Sequence, residues 1–182
     1  MCMLHRKMTD TLTRITLGDL NEANPASFIA VLGAIYEHSP WVAAGAYARR
    51  PFTDIASLAA AMADCVAAAT SAQQDSLIAA HPDLAGRLAR AGALAPSSAT
   101  EQASLGLDRL SDAEFEQFEA LNKQYRARFG FPFIIAVKRH TRASVLAAFR
   151  ARLTHDARTE RQTALREIDL IARLRLDALL AK

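Results

Sequence analysis

The stretch AAHPDLAGR, residues 79–87, places His81 directly before a proline at the end of an Ala-rich run. Imidazole titrates near neutrality, so His81 suits general acid or base work. A residue before proline is steered away from the helical region, so His81 marks a helix boundary. Two roles are open to it there: closing the helix, or facing a pocket. Asp83 is near enough to cap the next helix or to influence the ring. No Ser or Cys nucleophile motif and no His-x-x-x-His pair accompanies them, so proton transfer is the chemistry on offer, not acyl transfer or metal chemistry.

Two further sets of residues bear on that chemistry. In Ser98-Ala-Thr-Glu101-Gln102 the spacing predicts a capping box, with Ser98 as N-cap and Glu101 at N3. Glu101 then either only returns to the N-cap amide, or belongs to a helix N-terminus that seats a carboxylate. At 100° per residue around the last helix, Ala164, Leu165, Ile168, Ile171, Ala172, Leu176 and Leu179 share one face, and Arg175 falls near its middle. Arginine inside an apolar stripe either snorkels to an edge or is paired with an anion. An anionic substrate would explain it.

The elements that must position these residues are helical almost throughout. Asn24-Pro25 predicts an N-cap and a proline at N1, opening a helix through SFIAVLGAIYEHS. A short helix follows between Pro40 and Pro51, and Thr53-Asp54 caps IASLAAAMADCVAAA. QQDSLIAA runs up to His81, and Ser111 with Glu114 forms a capping box for FEQFEALNKQYRARF, which Gly130 ends. Thr141 opens another helix, and the last covers about 158–181. FGFPFIIAVK resists a helical reading because Pro132 biases Phe131 towards extended backbone. The expectation is an all-α single domain of roughly eight helices over residues 15–182, with one short extended segment near 131–137. Residues 1–14 read as a lead-in, ordered or disordered.

Half of the 182 residues are apolar, enough for a sizeable core. Lacking any run of eighteen apolar residues or a secretory leader pattern, the chain is not expected in a membrane. Two lone cysteines, Cys2 and Cys65, fit a reducing cytoplasm and offer no metal spacing. Residues 1–122 carry 8 Lys and Arg against 14 Asp and Glu, whereas residues 123–182 carry 14 against 5. Such a basic third suits a solvated helix face, an anionic small molecule or an acidic partner. Its charges are spread over several helices with few aromatics and no helix-turn-helix or zinc-finger spacing, so nucleic acid is not the expected partner.

YEHSPWVAAGAYARRPF, HPDLAGR, SSATEQASLGL, LNKQYRARFGFPFIIAVK and ALREIDLIARLRL, in this order, resemble the 2-oxo-4-hydroxy-4-carboxy-5-ureidoimidazoline (OHCU) decarboxylases of urate degradation. The similarity spans roughly Ile15 to Leu180. It implies a cofactor-free, all-α decarboxylase, often a homodimer, that gives (S)-allantoin and CO2. On that resemblance His81 is the catalytic acid/base with Pro82 beside it. Ser98, Glu101 and Gln102 line the pocket, Glu101 orienting His81 or binding the substrate hydroxyl. Arg175 grips the substrate, and backbone groups of Phe133, Ile134, Ile135, Ala136 and Val137 pair with its amides. One departure is His155, before the last helix, where the family pattern has asparagine.

Overall fold

The structure, a computed structural model, describes residues 15–180, so the expected lead-in at 1–14 lies outside the described residues. Ten α-helices are found there: α1 (Leu17–Glu22), α2 (Pro25–Leu32), α3 (Pro40–Tyr47), α4 (Ile55–Ala67), α5 (Ser71–Ala79), α6 (Arg87–Arg90), α7 (Pro96–Ser104), α8 (Asp112–Phe129), α9 (Arg142–Arg152) and α10 (Ala157–Leu180). The two beyond the expected eight, α1 and α6, have six and four residues. A single turn or so of helix gives almost no periodicity to read. The all-α class holds.

Most boundaries are local chemistry. Asn24, Asp54, Thr70, Ser111 and Thr141 each accept an N–H from the first turn of the helix that they precede. Gly130 ends α8 at φ 81°, a left-handed conformation that glycine adopts without cost. One expectation is corrected. Ser98 and Glu101 do not form a capping box, because α7 already begins at Pro96 with Ala95 as its N-cap and no side-chain cap. A proline at N1 starts the helix three residues earlier. Ser98, Glu101 and Gln102 therefore fall at i, i+3 and i+4 and share one helix face.

Two apolar cores are built. In the first, α2, α3 and α4 pack in sequence, and α10 lies across α4 and α5, burying Phe28, Leu58, Met62, Leu77, Ile168 and Leu176. In the second, α8 and α9 enclose Phe118, Tyr125, Val145 and Phe149. The extended segment is the seam between them. Successive side chains of extended backbone point to opposite sides. Accordingly Ile134 and Ala136 enter the first core, while Phe133, Ile135 and Val137 enter the second. Residues 131–136 are non-helical and Val137–Arg139 forms a single 3-10 turn, with no strand among the described residues.

Candidate active site

His81 follows the last turn of α5, is 6 % exposed, and has its Nδ1 2.9 Å from the Leu77 carbonyl oxygen. A carbonyl only accepts, so Nδ1 carries the hydrogen and donates it. The neutral ring must then have its lone pair on Nε2. Among the described residues nothing bonds Nε2. Burial holds the imidazole below the ordinary histidine range, opposed by the Leu77 hydrogen bond and the Glu37 charge. The arrangement presents an unprotonated nitrogen, ready to take a proton.

The loop that follows is pinned by α7 and α8. Gln102 accepts the Ala85 N–H at Oε1 (2.8 Å) and donates from Nε2 to the Asp83 carbonyl (3.4 Å). Asn122 Nδ2 donates to the Leu84 carbonyl (2.8 Å), and Arg126 Nε to Asp83 Oδ1 (2.8 Å). These bonds hold Ala85 at φ 51°, where a β-carbon is strained. At Gly86 a β-carbon would come within 2.8 Å of that of Asp83, so the turn requires glycine. Gln102, expected to contact substrate, lines the cavity with both ends of its amide already committed to the HPDLAG loop.

Arg175 lies on the buried face of α10, as the helical wheel predicts, and is 7 % exposed. All five of its N–H groups are used within the protein. Nε and Nη2 donate to the two oxygens of Glu101 (2.8 and 2.9 Å), and Nη2 also to Ser98 Oγ (3.2 Å). Nη1 donates to Glu37 Oε2 (3.0 Å) and the Ile35 carbonyl (3.2 Å). Burial alone would favour a neutral guanidine, but Glu101 and Glu37 outweigh it and raise the pKa above the ordinary value. Glu101 therefore bonds Arg175, and the group that orients His81 is the Leu77 carbonyl. Glu37 was not singled out in the sequence, since no motif marks a carboxylate in the turn after α2; YEHSP is its only local signal.

Backbone of the seam completes the wall. The Ile134 carbonyl accepts from Arg152 Nη1 (2.7 Å), and the Ala136 N–H donates to Glu167 (2.8 Å). The N–H groups of Ile135 and Val137 find no partner among the described residues. Arg152 is buried against Glu160, which also accepts from Tyr125 and, at 2.7 Å, from His155 Nδ1. The site therefore rests on a second buried charge cluster, and His155 joins it through its ring.

His81, Pro82, Ser98, Glu101, Gln102, Phe133, Ile134, Ile135, Val137 and Arg175 thus surround one cavity of about 40 Å³. Ala136 is the one predicted residue not on its lining. His81 and Pro82 also border an adjoining groove of about 920 Å³, whose walls include Glu37, Asn122 and Lys123. Among the described residues no three His, Cys, Asp or Glu side chains are grouped to hold a metal.

The family model described as OHCU decarboxylase matches residues 21–177. The chain belongs to the OHCU decarboxylase family. An OHCU decarboxylase of Halalkalicoccus jeotgali is 44 % identical over 92 % of this chain and 93 % of its own. One from Mus musculus is 36 % identical over 88 % and 90 %. The uric acid degradation bifunctional protein PucL of Bacillus subtilis is 42 % identical over 88 % of this chain but only 32 % of its own length. Among solved structures, (S)-allantoin synthase superposes with a TM-score of 0.71 at 35 % identity, over 91 % of this chain and 54 % of that one. Within this family the chain's buried His81, Glu101 and Arg175 stand at the meeting point of its two cores.

Proposed function

We propose that this chain decarboxylates 2-oxo-4-hydroxy-4-carboxy-5-ureidoimidazoline to (S)-allantoin and CO2, with His81 moving the proton. Family membership supports the reaction. The observation that carries the residue assignment is the tautomer of His81, hydrogen on Nδ1 and lone pair on Nε2, at the junction of cavity and groove. In this reading the bond to the carboxylate carbon breaks and the adjacent C=N unit accepts the electron pair. Neutral Nε2 takes the hydroxyl proton and the resulting imidazolium returns a proton to ring carbon on one face, while a proton from water neutralises the C=N nitrogen that received the pair. Control of that face makes the product a single enantiomer.

Each neighbour has a role in the same reading. Glu101 receives the substrate hydroxyl on binding and yields it to Nε2 when the proton is taken, and Arg175 grips the carboxylate or an amide carbonyl by exchanging Ser98 for substrate at Nη2. Free N–H groups of Ile135 and Val137 meet the ureido and ring carbonyls, and Pro82 with the apolar seam excludes water. Ligand pockets are commonly a few hundred Å³, so the 40 Å³ cavity must open towards the groove across His81 and Pro82. No cofactor is invoked. A homodimer in the cytoplasm is the assembly and setting we propose with it; light scattering returning only a 19.8 kDa species would remove the dimer.

The test supplies substrate freshly made by urate oxidation and hydroxyisourate hydrolysis, and follows product by circular dichroism. His81→Asn is expected to retain its helical spectrum and to lose stereospecific allantoin formation. Optically active product at the wild-type rate would remove His81 from the chemistry.

A further inference from the structure

The turn between α2 and α3 delivers a carboxylate to this site that the reaction as described does not use. Glu37 is 4 % exposed and accepts from Arg175 Nη1 (3.0 Å) and from Ser98 Oγ (3.1 Å). Just before it in the chain, the Ile35 carbonyl takes the other Nη1 hydrogen (3.2 Å) and Tyr36 donates its hydroxyl to Asp169 (2.8 Å). Three consecutive residues are thus tied to α10. The next, His38, sits at φ 47°, a left-handed conformation unfavourable for a side chain bearing a β-carbon. Local strain of this kind persists where surrounding contacts over-determine it.

Arg175 is held by two edges. The Nε and Nη2 edge faces Glu101 and Ser98, which line the cavity. The Nη1 edge faces Ile35 and Glu37, which lie outside this cavity, Glu37 bordering the adjoining groove instead. We propose that Glu37 is a positioning residue that grips Arg175 from behind, so that Glu101 and Ser98 can exchange their bonds to the guanidinium for substrate. Two carboxylates on one guanidinium make the exchange feasible. When Glu101 turns to the substrate, Glu37 still neutralises a buried charge that is costly to leave unpaired. A planar fork held at Nη1 also keeps its orientation, so less ordering is left for the substrate to impose. This inference rests on Arg175 contacting substrate.

Steady-state kinetics of Glu37→Gln, Glu37→Asp, Arg175→Gln and the Glu37→Gln/Arg175→Gln double variant test it. Loss of a positioned charge-assisted hydrogen bond to substrate predicts that Glu37→Gln raises KM about tenfold while kcat changes less than about threefold. The product should remain (S). In the Arg175→Gln background the same substitution should change KM less than about twofold, because coupled residues are non-additive. Glu37→Asp, which keeps the charge but shortens the reach, should raise KM in the same direction. Unchanged KM in a natively folded Glu37→Gln protein, or an equal effect in both backgrounds, would overturn the proposal. So would loss of folding in both the Gln and Asp variants, which would make Glu37 a folding requirement. A wild-type KM in Arg175→Gln alone would instead refute the substrate contact of Arg175.

Discussion

At the scale of single residues, the state of His81 decides the pH behaviour. Burial disfavours the imidazolium, so the folded chain binds this proton only below the ordinary histidine value of about 6.5. The unfolded chain binds it at higher pH. The contribution of His81 to stability is therefore whole above about pH 6.5 and is lost as pH falls from there through the folded value. If neutral Nε2 is the base, the acid limb of kcat/KM must also lie below the ordinary histidine range of about 6.5. A pH profile with its acid limb above neutrality would contradict that assignment. Glu160 offers a second test. It is fully buried against Arg152, so Glu160→Gln leaves a buried cation poorly paired and is expected to cost about 3 kcal/mol in urea unfolding. Because Arg152 holds the Ile134 carbonyl, the surviving folded protein should also bind substrate more weakly.

Among the elements, legibility follows the range of the interactions. Helix starts at Asn24, Asp54, Ser111 and Thr141 could be read because each cap lies within three residues of the N–H that it satisfies. The start of α7 is masked in the sequence because Ser98-x-x-Glu101 mimics a capping box. The Ala95-Pro96 step was the better signal, as Asn24-Pro25 was for α2. The apolar run 133–137 is legible as extended backbone, but a run apolar throughout cannot say that two cores lie on its two sides. Core and site should separate under mutation. Leu58 on α4 is fully buried and lies outside both the cavity and the groove. Leu58→Ala should cost about 3 kcal/mol by thermal or urea unfolding and leave KM unchanged at a temperature where the protein stays folded.

Taken as a whole molecule, the fold brings α5, α7, α10 and the seam to one point, and there the site is closed on itself. Arg175, Gln102 and Ser98 already bond protein groups, and about 40 Å³ remains. Ligand entry must exchange some of those bonds. His81 and Pro82 border both cavity and groove, and the 82–95 stretch that follows, whose only helix is the four-residue α6, lines much of the groove. Adding (S)-allantoin should therefore change amide hydrogen exchange in residues 82–95 while leaving α4 unchanged. An unaltered pattern in 82–95 at saturating ligand would place the binding route elsewhere.

By itself the sequence determined eight of the ten described helices, the caps at Asn24, Asp54, Ser111 and Thr141, the extended run and the three buried side chains that HPDLAGR, SSATEQ and ARLRL bring to the cavity. Those depend on neighbours within a turn or two, or on strings long enough to carry a family resemblance. Only the tertiary structure decided how the polar groups pair. Arg175 meets Glu37 and Glu101 across 138 and 74 residues. His81 takes its orientation from a backbone carbonyl, and Gln102 spends its amide on the loop that carries His81. Hydrogen-bond partners are chosen by proximity in the folded chain, and a buried charge takes whichever counter-charge the packing brings within about 3 Å. Spacing along a sequence holds no record of that choice.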